Sequence, residues 1–123
     1  GAFPDIACEV PVLLPGRVLP AIVRAVCRSR RIGVVTPVAG QATVARLKWE
    51  ADGFEPKVAW ASPVRREELE PAASVMRDET LECVVLDCMG HDEAYKREFA
   101  RRSGRPVLSA QSVVARLAGE LVG

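Results

Sequence analysis

Cys83-Val84-Val85-Leu86-Asp87-Cys88-Met89-Gly90-His91 is the stretch that decides the fold. Its first four residues are apolar, so both alternating faces of a strand there would be covered. That condition belongs to a strand inside a parallel sheet with helices on both sides. A polar segment, Asp92 to Arg102, follows at once, and its main apolar anchors, Tyr95 and Phe99, stand on one helical face. A buried strand running through a short loop into a helix is the repeating unit of α/β architecture.

The same unit recurs on either side. Upstream, Ile32-Gly33-Val34-Val35-Thr36 reads as a strand ended by Pro37, and Gly40 to Asp52 as a helix with Val44, Leu47 and Ala51 inward, ended by Gly53. Lys57 to Ala61 is a strand stopped by Ser62-Pro63. Arg65 to Asp78 is a helix with Leu69, Ala72, Ala73 and Met76 inward, and Pro71 bends it or marks a break near its first turns. Downstream, Pro106-Val107-Leu108 is a short strand, and Gln111 to Leu121 a helix with Val113, Val114, Leu117 and Leu121 on its apolar side. A first helix precedes all of these, with Val18, Leu19, Ile22, Val23 and Val26 on one face. Pro20 lies in its first turn, and Arg28, Arg30 and Arg31 suit its negative end. Residues 1–15 read as an inter-lobe connection or tail, and 16–123 as one α/β lobe. Four alternations of strand and helix predict a three-layer, doubly wound, four-stranded parallel sheet of order 2-1-3-4.

Composition narrows the function classes. The 123 residues are one domain's worth, 49% hydrophobic and 27% charged. Seventeen basic and sixteen acidic residues leave a net charge of +1, so no one-signed field is present for nucleic acid or an anionic membrane. Arginines interrupt every apolar run short of the roughly 18 residues a span needs, and no signal-peptide pattern is visible. The cysteines, Cys8, Cys27, Cys83 and Cys88, include no pair at a two-residue spacing, and His91 is the one histidine. We therefore expect no metal site, reduced thiols and a cytoplasmic protein.

In a doubly wound sheet the ligand crevice lies beyond the carboxyl ends of the strands, where the strand order reverses. The first strand delivers Thr36 and Pro37 there, the second Ser62, the third Asp87, Cys88, Met89, Gly90 and His91, and the fourth Ser109. Thr36 and Cys88 should then face one crevice, with helix amide groups near Gly40 and Gly90 favouring a carboxylate. Cys88 is the candidate catalytic group, because a helix start favours thiolate; the alternative is a packed strand-end cysteine. Cys8, Cys27 and Cys83 read as packing. Asp87 orients a ligand or, more commonly, caps the next helix. His91 is an acid or base, or a first-turn residue facing water, and facing water is the expectation. Thr36 and Ser62 donate to a carboxylate or finish their turns. Trp49 and Trp60 read as half-buried packing, and Arg65-Arg66 and Arg101-Arg102 as solvated faces. A Cys-x5-Arg phosphatase loop fails because Ala94 stands in the arginine position, and no glycine-rich stretch ends in Lys-Ser or Lys-Thr. A phosphoacceptor receiver would need an acidic pair where Thr36-Pro37 stands, and one histidine does not make a serine triad.

Leu86-Asp87-Cys88-Met89-Gly90, Gly33-Val34-Val35-Thr36-Pro37 and Pro106-Val107-Leu108-Ser109 through Val114-Ala115-Arg116-Leu117 resemble the AroM family, as do Arg17-Val18-Leu19-Pro20 and Lys48-Trp49. That family is similar in turn to the aspartate/glutamate/hydantoin racemases. Those are two-lobed, cofactor-independent enzymes in which one strand-end cysteine from each lobe moves a proton next to a carboxyl group. The resemblance implies that Cys88 matches the second-lobe cysteine and Thr36 a position lining the carboxylate pocket. It also implies that the chain is the second lobe alone, since Gly1-Ala2-Phe3-Pro4 resembles the stretch following the first-lobe cysteine. Two residues depart from the racemase pattern. Asp87 stands where glycine is common, and His91 where an aromatic is usual; a carboxylate beside the thiol disfavours thiolate.

Three functions are in view. One is racemase- or isomerase-like proton transfer on a small carboxylate through Cys88, with turnover by the single lobe unexpected. The second is non-catalytic binding of a small carboxylate or aromatic-pathway metabolite. The third is a lobe whose exposed face packs on another lobe or in a homo-oligomer.

Overall fold

A computed structural model describes residues 19–122. A helix over 19–26 (α1) leads into strand β1, Arg31–Thr36. A single 3₁₀ turn, Ala39–Gln41, precedes α2, Ala42–Ala51, and β2 follows at Glu55–Trp60. Another 3₁₀ turn, Arg66–Glu68, opens α3, Leu69–Val75. Then come β3, Val84–Leu86; α4, Glu93–Ser103; β4, Val107–Ser109; and α5, Ala110–Val122. All strand pairs are parallel, and the order is β2-β1-β3-β4, as the sequence pattern predicts. The expected tail at 1–15 lies outside the described residues.

Alternation along the strands divides the core in two. Ile32, Val34 and Val85 point to one face, where they pack with Leu19 and Val23 of α1, Ala45 and Trp49 of α2, and Ala110 of α5. Val35, Val84, Leu86 and Val107 point to the other, against Leu69, Ala72 and Ala73 of α3 and Tyr95 and Phe99 of α4. The central strands are buried on both faces, which is why β3 is wholly apolar and β1 carries no polar residue between Arg31 at its start and Thr36 at its end.

The helices differ from expectation in three places. Val26, expected on the apolar face of α1, is 61% exposed, because it is the last helical residue and lies beyond the sheet's cover, and Arg31, expected at that helix's end, opens β1 instead. The segment expected as one helix from Arg65 to Asp78 is a 3₁₀ turn plus a shorter α3. Pro71 falls in the first turn of α3, where its missing N–H breaks no helical bond. The apolar face expected for α2 is also corrected: Val44 and Leu47 are 68% and 62% exposed, whereas Ala45 and Trp49 are buried. The indole of Trp49 buries far more apolar area than a valine, and its N–H bonds to Asp87 on β3's end, so Trp49 sets the rotation of the helix. Gly53 ends α2 at φ 92°, a left-handed conformation that side chains resist.

Across the α3–α4 surface, Glu70 pairs with Arg77 and Arg102, and Glu98 pairs with Arg101 and Arg102. The pairs hold the Glu98 carboxyl down to about 2. They are solvent-exposed and contribute little to stability.

Candidate functional site

The order reverses between β1 and β3, and the carboxyl ends of these two strands lie side by side. Val35 is in register with Leu86, and the Asp87 amide donates to the Val35 carbonyl at 2.9 Å. Thr36 and Asp87 therefore step off neighbouring strands.

Thr36 is buried, and its hydroxyl donates to the Val38 carbonyl at 3.0 Å, closing the turn after β1. Pro37 follows, partly exposed. Asp87 does not cap α4. Its carboxylate accepts the Trp49 indole N–H at 3.1 Å and lies 3.8 Å from the Lys48 ammonium. Asp92 is the cap, accepting from the Tyr95 amide at 2.8 Å. The loop is long enough that the capping carboxylate comes five residues after Asp87, which frees Asp87 to brace α2 against the sheet.

Cys88 is partly exposed. Its sulfur accepts the Gly90 amide N–H at 3.3 Å. Its backbone carbonyl accepts from the His91 amide at 3.3 Å, which folds the loop into a tight turn. Gly90 is there for room: a Cβ would stand 2.9 Å from Pro63 Cγ and 3.5 Å from the Cys88 sulfur. Met89 is partly exposed, and its carbonyl accepts the Gln111 side-chain amide at 3.0 Å, so α5 helps hold the loop.

His91 does not face water, contrary to expectation; it is fully buried. Its Nε2 lies 2.9 Å from the Ala61 carbonyl. A carbonyl only accepts, so Nε2 carries the proton and Nδ1 is a bare acceptor in the neutral ring. Nδ1 has no partner, and the Tyr95 hydroxyl, on a ring 4.6 Å away, has none either. Burial pushes the Tyr95 phenol up to about 12, so it stays protonated. Tyr95 is the residue missed by sequence reading as anything but a helix anchor. Its tyrosine identity where phenylalanine would pack as well was the available signal.

Burial holds the His91 pKa below the ordinary 6.5, only partly offset by the Ala61 carbonyl and Asp92. An unfolded chain then takes up the proton first, so His91 contributes stability that is complete above 6.5 and is lost as pH falls from there through the folded value. The Tm of the native chain should fall more steeply between about pH 7 and about pH 5 than that of His91→Gln. Parallel Tm profiles for the two would show that the ring is not held neutral.

Ser62 and Ser109 serve their own turns. Ser62 Oγ accepts from the Val64 and Arg65 amides, and Glu68 accepts the Ser62 amide at 2.8 Å. Ser109 is buried; its hydroxyl donates to Ser112 Oγ at 2.8 Å and accepts the Ser112 amide, starting α5 at the far edge of the sheet. The candidate residues thus form two groups. Thr36 closes its own turn and Asp87 ties the β3 loop to α2, while Gly90 and His91, following Cys88, meet Pro63, Ala61 and Tyr95. Trp49 is fully buried rather than half-buried, and Trp60 is 50% exposed at the end of β2. Among the described residues no cluster of metal-ligating side chains occurs, and no helix is long and apolar enough to cross a membrane.

Comparison with curated proteins and with solved structures returns no match. A family model described as AroM protein matches residues 1–122, nearly the whole sequence, with the Asp87-Cys88-Met89-Gly90 loop and both central strands inside it. The chain belongs to the AroM family.

Proposed function

We propose that this chain carries one half of a cofactor-independent proton-transfer site for a small carboxylate, with Cys88 as the acid/base thiol. The observation that carries the reading is the setting of Cys88: past the carboxyl end of β3 at the reversal of strand order, partly exposed, its sulfur accepting the Gly90 amide. The buried, unpartnered Nδ1 of His91 and hydroxyl of Tyr95 beside this loop add polar capacity that apolar packing alone does not require. Thr36, Pro37, Ser62, Asp87, Met89 and Ser109 act by shaping the loops around the thiol.

The thiolate removes the proton next to the substrate carboxyl group, leaving an enolate, and the Cys88 thiol returns it. One base works on one face of the carbon. Inversion needs a second base from another lobe or chain on the opposite face.

The test is hydrogen exchange in D₂O with a panel of α-substituted small carboxylates, followed by NMR and chiral chromatography. The chain alone should wash out the α-hydrogen with retention of configuration, and Cys88→Ala should abolish the exchange. Iodoacetamide should alkylate Cys88 faster than a free thiol. A chain that is stabilised by a carboxylate equally well as Cys88→Ser, yet exchanges no α-hydrogen, would replace this reading with non-catalytic binding.

A further inference from the structure

At the opposite end of β3 from the Cys88 loop, two cysteines 56 residues apart meet: the Cys27 and Cys83 sulfurs lie 3.1 Å from each other. We propose that Cys27 and Cys83 form a reversible disulfide by exchange with a small anionic disulfide of the glutathione class.

The fold brings them together from separate elements. Cys27 follows the last turn of α1, its amide donating to the Val23 carbonyl at 2.8 Å. Cys83 directly precedes β3. The neighbouring Glu82 carboxylate accepts the Arg28 and Ser29 amides at 2.7 and 3.1 Å, which clamps the turn after Cys27 against the start of β3. The pair is held close by these bonds and not by the thiol contact alone.

Their exposures differ in a way that assigns roles. Cys27 is partly exposed and lines a groove with Arg24, Arg28, Arg30, Asp52 and Phe54, whereas Cys83 is 5% exposed. Three arginines against Asp52 and the Glu82 carboxylate leave a net positive charge, which suits a disulfide reagent that carries carboxylates. Cys27 Sγ, as thiolate, attacks one sulfur of the reagent and expels the other as a thiolate, giving a mixed disulfide. Cys83 Sγ, deprotonated in turn, attacks the Cys27 sulfur and expels the second thiolate. Two electrons pass from the cysteine pair to the reagent, and the two cysteine protons end on the two released thiols. Burial raises the pKa of both cysteines, the adjacent Cys83 thiol raises that of Cys27 further, and Glu82 adds to both, so the exchange is slow at neutral pH. The product ties α1 to the sheet across a long loop.

The experiment incubates the full chain with oxidised glutathione, quenches with iodoacetamide and maps peptides by mass spectrometry without reduction. The expected product joins the Cys27 and Cys83 peptides with loss of two hydrogens, and the Tm rises by about 5 °C or more. Cys83→Ala should trap glutathione on Cys27, and Cys27→Ser should abolish the Tm rise. Cys27 and Cys83 both remaining alkylatable while Cys8 or Cys88 is modified would overturn the proposal. A glutathione adduct on Cys27 that persists in the native chain would overturn it as well. Because the peptide map reads the native chain, the result stands even if the Cys83 variant fails to fold.

Discussion

Trp49→Ala should lower the free energy of unfolding by about 3–5 kcal/mol, a large share of the roughly 5–15 kcal/mol that a domain possesses. Trp49 is fully buried between α2 and the sheet, its ring 5.4 Å edge-on from Phe54. The truncation empties the largest side-chain volume on that face. It also strips the Asp87 carboxylate of its indole donor, leaving Lys48 at 3.8 Å as a weaker partner. Trp49→Phe separates the two losses. It keeps a six-membered ring in the slot, removes the N–H with the smaller part of the indole's volume, and should cost about 1–3 kcal/mol. Urea denaturation of the three proteins measures both. Equal stability of Trp49→Phe and the native chain would show that the Trp49–Asp87 bond holds nothing in place. The bond is consequential for the site as well, because Asp87 is the residue before Cys88. In Trp49→Phe the loop loses a tether, and Cys88 alkylation should change in rate.

Gly33→Val should destabilise the chain by about 3 kcal/mol. A Cβ at Gly33 would stand 2.5 Å from the Met76 sulfur, 3.1 Å from a Val84 methyl and 3.3 Å from a Leu81 methyl. Glycine within a strand ordinarily weakens it. Here its lack of a side chain lets Met76, at the end of α3, close down on the central strand of the sheet. Gly33→Ala should cost less, about 1 kcal/mol, since the thioether of Met76 is flexible and gives way first. Met76→Ala removes the nearest obstacle, so the Gly33→Val/Met76→Ala double variant should be more stable than the sum of the single losses implies. Denaturation midpoints of the four proteins decide this. Strict additivity would mean that the contact does not limit the position.

Other features were legible in the chain itself because they rest on local chemistry. Strands buried on both faces must be apolar throughout, and Val84-Val85-Leu86 and Ile32-Gly33-Val34-Val35 state that without help from the rest of the molecule. The right-handed crossover rule then leaves few topologies, and β2-β1-β3-β4 is one of them. The α3 and α4 faces, Leu69-Ala72-Ala73-Met76 and Tyr95-Phe99, followed from helical spacing, because each helix has one apolar stripe. The family also followed from the loop and strand motifs, and its model covers them.

Spacing failed where two stripes competed or where a polar group had a distant partner. The α2 helix offers Val44-Leu47-Ala51 or Ala45-Trp49, and periodicity does not rank them. The choice fell to a bond from Trp49 to Asp87, 38 residues away. His91 reads as a surface residue from its place in a first turn, yet the Ala61 carbonyl, 30 residues back, draws it inside. Cys27 and Cys83 read as packing, and only the folded chain sets their sulfurs side by side. The sequence by itself determined the elements, their order and the end of the sheet that carries the loops, since these depend on residue type and short-range geometry. Tertiary structure decided helix rotation, the fate of each buried polar atom and the pairing of the thiols. Those depend on groups that only long-range packing brings within a few ångströms.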